Sequence, residues 1–168
     1  MIACVDVHYS DPHTVAACVT ISAWADGVAC DVFVCPIDKG APYMPAAFYQ
    51  RELPCILQVV QPFYDHIRYF IVDGYVWLDG EKHPGLGAFA YYALGDTIQV
   101  IGVAKKPYHG AKDCSLSVNR RDSKTPLYIT SSDIELEKAA GHIASMHGPY
   151  RISTMLRYVD RLFKEDSI

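Results

Sequence analysis

Three features are scarce in this sequence, and each absence excludes a class of protein. No stretch approaches the roughly 20 apolar residues that a membrane-spanning helix needs, and Asp6 interrupts the first apolar run before it could form a signal peptide. The six cysteines include no Cys-x-x-Cys pair, which argues against a structural zinc site. Positive charge is not in excess, because 15 Lys and Arg side chains face 19 Asp and Glu side chains. We therefore expect a cytoplasmic, monomeric protein with no membrane partner.

The length and composition indicate one folded domain. A chain of 168 residues that is 51% hydrophobic buries a sizeable core, and no linker interrupts it, so we expect a single domain over residues 1–168. The charge is unevenly distributed: residues 1–100 hold 11 acidic and 4 basic side chains, whereas residues 101–168 hold 8 acidic and 11 basic ones. Such a chain could gather a divalent cation at one end and a phosphate backbone at the other. Two solvated faces of a compact domain are the alternative.

The pattern of apolar residues predicts a run of strands followed by alternating elements. Strands are predicted over 2–9, 14–23, 28–36, 69–72 and 97–104. Helices are predicted over 48–60, 85–94, 134–146 and from Ser153 or Thr154 to about 164. The regular part of the first helix should begin near Arg51, because Pro54 is tolerated only in a first turn. Asp133 is the predicted N-cap of the third helix.

This order of elements predicts an α/β protein with a ribonuclease H-like fold. The expected sheet is mixed and five-stranded, with three antiparallel strands and then two parallel ones, and helices flank it. In that topology the fourth strand lies beside the first. Asp6, in the middle of the first strand, and Asp73, at the carboxyl end of the fourth, would then be neighbours at one edge of the sheet.

Paired carboxylates among apolar residues predict a metal site. Desolvating an ion costs several kcal/mol, and two carboxylates about 4 Å apart repel by roughly 4 kcal/mol at an effective dielectric constant near 20. Glu52, in the helix that leads to the fourth strand, would add to that repulsion. A divalent cation converts the repulsion into attraction, and carboxylate oxygens favour Mg²⁺, with Mn²⁺ as a substitute. A turn cap or a surface ion pair is the alternative role for each carboxylate alone.

An ordered series of short motifs resembles the endonuclease V family, the deoxyinosine 3′-endonucleases. The series, which covers roughly residues 2–160, reads Val5-Asp6-Val7-His8-Tyr9, Pro42-Tyr43-Met44-Pro45, Arg51-Glu52-Leu53-Pro54, Val72-Asp73-Gly74, His83-Pro84, Ile101-Gly102-Val103-Ala104-Lys105 and Tyr150-Arg151. One tetrapeptide would carry little weight, but seven in the family's order identify the chain as a compact, divergent member.

The resemblance implies a metal-dependent endonuclease of the DNA-repair type. Such an enzyme hydrolyses a phosphodiester bond on the 3′ side of deoxyinosine or inosine in DNA or RNA. By the resemblance, Asp6, Glu52 and Asp73 are the catalytic metal ligands. Two further catalytic residues are implied: Lys105 corresponds to the family's active-site lysine, and His83 corresponds to the histidine of its His-Pro motif. The implied nucleic-acid contacts are Lys105, Gly74, Arg151 and Tyr43, the last as a wedge that fills the gap left by an extruded base.

The sequence departs from the family pattern at the implied recognition surface. Where the family usually has Asp-Gly-His-Gly, this chain continues from Asp73 through Gly74-Tyr75-Val76-Trp77 and reaches His83 by a longer path. Asp133 stands roughly where the family has the histidine of a Ser-Pro-Gly-His motif. Two alternatives therefore stay open: a ribonuclease H-like nuclease that recognises nucleic-acid structure rather than inosine, and a nucleic-acid-binding module that does not cut.

Overall fold

One mixed sheet carries the whole architecture. The computed structural model describes residues 1–10, 13–37, 48–95 and 97–165 of the chain. The strands are β1 (Ile2–Ser10), β2 (His13–Ile21), β3 (Asp31–Ile37), β4 (Tyr69–Asp73), β5 (Gln99–Ala104), β6 (Leu116–Val118) and β7 (Leu127–Ser131). The helices are α1 (Phe48–Val60), α2 (Leu86–Leu94), α3 (Leu136–Ser145) and α4 (Thr154–Glu165), with 3-10 turns at Gln61–His66 and His109–Asp113.

The order of the strands confirms the predicted fold class. Across the sheet the order is β3-β2-β1-β4-β5-β7-β6, in which the β1–β4 and β4–β5 pairs are parallel and the other pairs are antiparallel. The sheet has seven strands where five were expected. The two additional strands, β7 and β6, extend the sheet beyond β5. β6 is only three residues long, so its alternation of Leu116, exposed Ser117 and Val118 is too short to predict a strand.

Two helix starts differ from the predictions. Helix α1 begins at Phe48 and not near Arg51, so Pro54 lies beyond the first turn. Pro54 is exposed, so the carbonyl that it leaves without an N–H partner can be hydrated. Helix α3 begins at Leu136 with Glu135 at its N-cap position, so Asp133 is not the N-cap; its carboxylate instead accepts a hydrogen bond from the Tyr91 hydroxyl.

Each face of the sheet carries its own hydrophobic core. Successive side chains of a strand point to opposite faces, so neighbours in one strand enter different cores. Cys4 and Ile71 pack with α3 and α4, whereas Val5 and Phe70 pack with α1 and α2. No helix in the described ranges is long and apolar enough to span a bilayer.

Helix α4 is amphipathic and covers β1 and β2. It begins at Thr154, one of the two predicted starts, and the Leu156 N–H donates to the Ser153 hydroxyl oxygen at 3.4 Å. The side chains of Met155 and Val159 are buried against the sheet, whereas Arg161 is exposed. This helix therefore lies between the core and a surface whose properties are described below.

Candidate active site

The sheet register brings Asp6 and Asp73 together, as predicted. β1 and β4 run parallel with Val5 opposite Val72, so Asp6 and Asp73 are the next residues along the two adjacent strands. The alternation of side chains places both carboxylates on the face covered by α3 and α4. Two acidic groups consequently meet at the carboxyl-end edge of the sheet, which is where ligands bind in open α/β sheets.

Glu52 reaches the same place from the opposite face of the sheet. It lies in α1, which packs on the other core through Cys55 and Ile56, and its side chain is only 9% exposed. Asp6, Glu52 and Asp73 line one cavity of about 330 Å³. The structure thus gathers three carboxylates that are up to 67 positions apart in the sequence.

Mutual repulsion and burial raise the pKa of two of these carboxyl groups. Burial, followed by the charges of Asp6 and Asp73, raises the pKa of Glu52 to about 8. Burial, followed by the charge of Asp73, raises the pKa of Asp6 to about 6, although the Val7 N–H that donates to its Oδ1 at 2.9 Å opposes the shift. Groups in a cavity that are this costly to ionise are characteristic of functional sites.

Lys105 provides the positive charge at this site. It follows β5 directly, and its Nζ donates a 2.7 Å hydrogen bond to Oδ2 of Asp73. Partial burial lowers the pKa of Lys105, but the hydrogen bond to Asp73 and the charges of Asp73 and Asp6 outweigh it and hold the pKa above its ordinary value. Nearly half of the lysine side chain is exposed, so its ammonium group is accessible to a phosphate.

Asp160 is a fourth acidic residue of the site, and the sequence analysis missed it. It lies on α4 and lines, with Asp6, Asp73 and Lys105, a small recess on the α4 side of the sheet. Its charge acts on the pKa of both Asp6 and Lys105. The sequence feature that could have indicated it is its position four residues after Leu156 in a predicted helix, which places an acidic side chain next to the apolar face.

The carboxylates suit a hard divalent cation by their chemistry. Asp6, Glu52 and Asp73 offer oxygen donors, and a cation would remove the repulsion that raises the pKa of Glu52 and Asp6. Among the residues that the structure describes, no three His, Cys, Asp or Glu side chains form a ready metal site. The metal-ligand assignment therefore stays a prediction.

His83 is placed in a loop and lines neither acidic cavity. Its Nδ1 lies 2.6 Å from Oδ2 of Asp79, and the backbone N–H groups of His83 and Glu81 donate to Oδ1 of the same carboxylate. These contacts hold the pKa of Asp79 below its usual range. The structure thus assigns His83 a partner within its own turn, and its catalytic role stays a prediction.

Gly74 joins the acidic edge to this loop. It follows Asp73 with a φ of 127°, a conformation that favours glycine, and its N–H donates to the Val103 carbonyl at 3.1 Å. A Cβ placed on Gly102 of β5 would lie 2.6 Å from the Gly74 oxygen and 2.6 Å from Oγ1 of Thr130. The backbone beside Asp73 is therefore closely packed.

The predicted wedge Tyr43 lies outside the described residues.

Arg151 lies beside the site but is bound to the backbone. Its Nη2 donates to the carbonyls of Lys105 and Pro126, the latter at 2.7 Å. Two donor positions of the guanidinium are thus used inside the protein, where they fix the carbonyl of the residue that supplies the site's ammonium group. A contact with nucleic acid stays a prediction for Arg151.

The fold and the acidic edge define the class of protein. A ribonuclease H-like sheet with carboxylates where the parallel strands end, and a lysine beside them, is the arrangement of a nuclease. The endonuclease V family model matches residues 1–148, and the chain belongs to that family. Endonuclease V enzymes are metal-dependent nucleases that act in DNA repair.

Solved structures of endonuclease V have the same fold. The Streptomyces avermitilis protein is 22% identical in sequence to this chain and superposes with a TM-score of 0.77. The match covers 99% of this chain and 82% of the Streptomyces chain. The human protein is 21% identical with a TM-score of 0.78, covering 98% and 82%. The Ciona intestinalis protein, solved with a 24mer DNA containing an inosine followed by a ribo-adenosine, is 16% identical with a TM-score of 0.82, covering 98% and 84%. No curated protein gave a match.

Proposed function

We propose that this protein is a Mg²⁺-dependent endonuclease that hydrolyses a phosphodiester bond on the 3′ side of deoxyinosine or inosine. The observation that carries the proposal is the cavity shared by Asp6, Glu52 and Asp73, with Lys105 bound to Asp73. Membership of the endonuclease V family and the inosine-containing DNA bound to the Ciona relative support the substrate. We also propose that residues 1–168 act as one domain.

The roles of the residues follow from their charges and positions. Asp6, Glu52 and Asp73 would hold Mg²⁺, with Mn²⁺ as a substitute. The bound cation would supply charge neutralisation and an activated water. The ammonium of Lys105 would stabilise negative charge on the phosphoryl oxygens, and Asp73 orients it for that task. Arg151 would act through Lys105, because it fixes that residue's carbonyl.

Substitution of the acidic pair tests this function. Asp6→Ala and Asp73→Ala should each lower Mg²⁺-dependent cleavage of an inosine-containing oligonucleotide by at least about a hundredfold, because each removes charge stabilisation from the transition state. The measurement is the single-turnover rate on single- and double-stranded substrates. Asp122→Ala, an exposed carboxylate that lines neither cavity, is the matched control and should cut like the unsubstituted protein. EDTA-sensitive cutting that survives either active-site substitution would refute the assignment.

A structure-selective nuclease is the second candidate function. The loop after Asp73 is longer than in the family, and the structure ties it down through Trp77, whose Nε1–H donates to the Ser131 carbonyl at 2.9 Å. A differently shaped surface beside the acidic cavity favours a different substrate. Cleavage of matched oligonucleotides without inosine, at the rate seen with inosine, would establish this candidate in place of the first. Binding without cleavage at any Mg²⁺ concentration would instead indicate a non-cutting module.

A further inference from the structure

A second concave surface lies along the outer side of α4. This groove, called the α4 groove below, has a volume of about 730 Å³ and runs between α4 and the hairpin that joins β2 to β3. On the hairpin side it is lined by Val28, which is 80% exposed, and Val32, which is 41% exposed. The cavity is as large as a small-molecule site and is lined by apolar side chains that solvent reaches.

The charge of the α4 groove is positive although the chain as a whole is acidic. Arg157 and Arg161 line it one helical turn apart, and no Asp or Glu is among its lining residues. Neither guanidinium makes a hydrogen bond or an ion pair with a residue that the structure describes. An anionic occupant would find two arginines with their donors available.

The groove also presents aromatic faces. Tyr150 is 60% exposed and Tyr158 is 37% exposed, and both line the groove. The guanidinium carbon of Arg157 lies 4.5 Å from the centroid of the Tyr150 ring, so the cation already stacks on an aromatic face. Arginines interleaved with exposed tyrosines combine phosphate contacts with stacking platforms for unpaired bases.

The α4 groove and the acidic recess lie on adjacent sides of the same helix. Asp160 faces the acidic recess, and Arg161, the next residue, faces the groove, about 100° further round α4. From Thr154 to Arg161 the groove follows α4 for about 11 Å, which is long enough to hold a short stretch of nucleic-acid strand. A strand leaving the acidic site on this side would pass directly along the arginines.

We infer that the α4 groove binds a single-stranded segment of the nucleic-acid substrate, next to the phosphate that is cut. Arg157 and Arg161 contact its phosphates, and Tyr150 stacks on an unpaired base. A duplex hides its base faces, so the exposed tyrosines favour an unpaired strand over a double-stranded one. This inference rests on the function proposed above, to which it adds the path of the strand.

Binding measured apart from cleavage tests the inference. The probe is a fluorescein-labelled 12mer of thymidine, titrated in EDTA and followed by fluorescence anisotropy. The double variant Arg157→Gln/Arg161→Gln should bind at least about tenfold more weakly, and its log–log salt slope should be smaller by about 1.4, because two phosphate contacts are lost. The double variant Lys124→Gln/Lys138→Gln removes the same charge from exposed lysines outside the groove and should bind like the unsubstituted protein.

A second pair of variants separates stacking from charge. Tyr150→Ala should weaken binding of the probe at least about fivefold, and Tyr150→Phe should restore it, because the ring and not the hydroxyl makes the stack. Circular dichroism melts would show that both variants fold. Equal binding by the groove and control double variants overturns the inference and leaves the groove to another occupant, such as a protein.

The two proposals can fail independently. Loss of probe binding in the groove variants, in a protein that does not cut inosine-containing oligonucleotides, would sustain the groove and refute the proposed reaction. Inosine-dependent cutting by a protein whose groove variants bind the probe normally would sustain the proposed reaction and refute the role of the groove.

Discussion

At the scale of single residues, the site is built from groups that are unfavourable where they stand. Glu52 is buried beside two other carboxylates, and its pKa of about 8 compares with an ordinary value of 4.5. Such a group favours the folded state when it is neutral and opposes it when it is charged. The charged form of Glu52 therefore lowers the stability of the folded protein, and such a cost is common at functional sites.

Glu52→Gln should give a pH-dependent gain in stability in EDTA. Because the pKa is raised on folding, the favourable contribution of Glu52 is complete below pH 4.5 and is lost as the pH rises through about 8. The melting temperature of the variant, relative to the unsubstituted protein, should therefore rise by at least about 5 °C between pH 5 and pH 9. Differential scanning fluorimetry measures both proteins.

An exposed glutamate provides the comparison for that experiment. Glu137, on the exposed side of α3, should give a Glu137→Gln variant whose melting temperature follows the unsubstituted protein at both pH values. The same parallel behaviour in Glu52→Gln would contradict the raised pKa that burial and the neighbouring carboxylates give Glu52.

Sequence patterns located the strand residues of the site but not Asp160 on α4. Asp6 and Asp73 were predicted because each interrupts an apolar strand, and a fixed topology then brings the two strands together. Asp160 escaped because the orientation of α4 about its own axis depends on packing against β1 and β2, which no local pattern encodes. Arg157 and Arg161 escaped for the same reason, since the groove that they line exists only once the β2–β3 hairpin lies beside the helix.

At the scale of elements, one buried arginine holds the chain between α3 and α4. Arg120 is 1% exposed, and its guanidinium donates to backbone carbonyls only, among them those of Ile143 at 3.0 Å and Tyr150 at 2.6 Å. Burial, followed by the charge of Arg121, holds the pKa of Arg120 below its ordinary value. The carbonyls at the end of α3 satisfy this cation in place of an acidic partner.

Arg120→Met should therefore destabilise the protein severely. Several carbonyls would lose their donors inside the protein, at a cost of about 3–5 kcal/mol. The expected fall in melting temperature is about 10 °C. Arg121→Met, at the next and exposed position, removes only one hydrogen bond to Gly148 and should shift the melting temperature by less than about 2 °C. Similar shifts for the two variants would contradict the structural role of Arg120.

The edge of the sheet beyond β5 shows why element counts are harder to predict than the fold class. Two parallel strands after three antiparallel ones suffice to define the ribonuclease H-like order. β6 pairs only with β7 and contributes three residues, so its formation depends on a neighbour supplied by the fold and not on its own sequence. The class was thus predictable, and the width of the sheet was not.

At the scale of the whole molecule, the proposed metal binding at the acidic cluster would be coupled to folding. A cation that binds only the folded state stabilises it by about 2.7 kcal/mol at a concentration one hundred times its dissociation constant. Mg²⁺ at that concentration should raise the melting temperature of the unsubstituted protein by about 5–10 °C, in a buffer of constant ionic strength. The measurement needs no catalysis and is independent of the substrate.

Asp6→Asn supplies the control for this stabilisation. It keeps the size of the side chain and removes the charge, so its melting temperature should respond to Mg²⁺ by less than about 2 °C. A full response in the variant would place the cation elsewhere on the protein.

Gly102 has a consequence for how this enzyme can vary among its descendants. The position lies in the centre of the sheet and takes no part in the chemistry, yet a single added methyl group would press against Gly74, the residue directly after Asp73. Substitutions there would disturb the backbone beside Asp73, the carboxylate that the proposed function assigns to the metal, without altering that carboxylate itself. We expect Gly102 to stay unchanged in natural variants and in laboratory libraries, whereas neighbouring positions of the strands should accept other aliphatic residues.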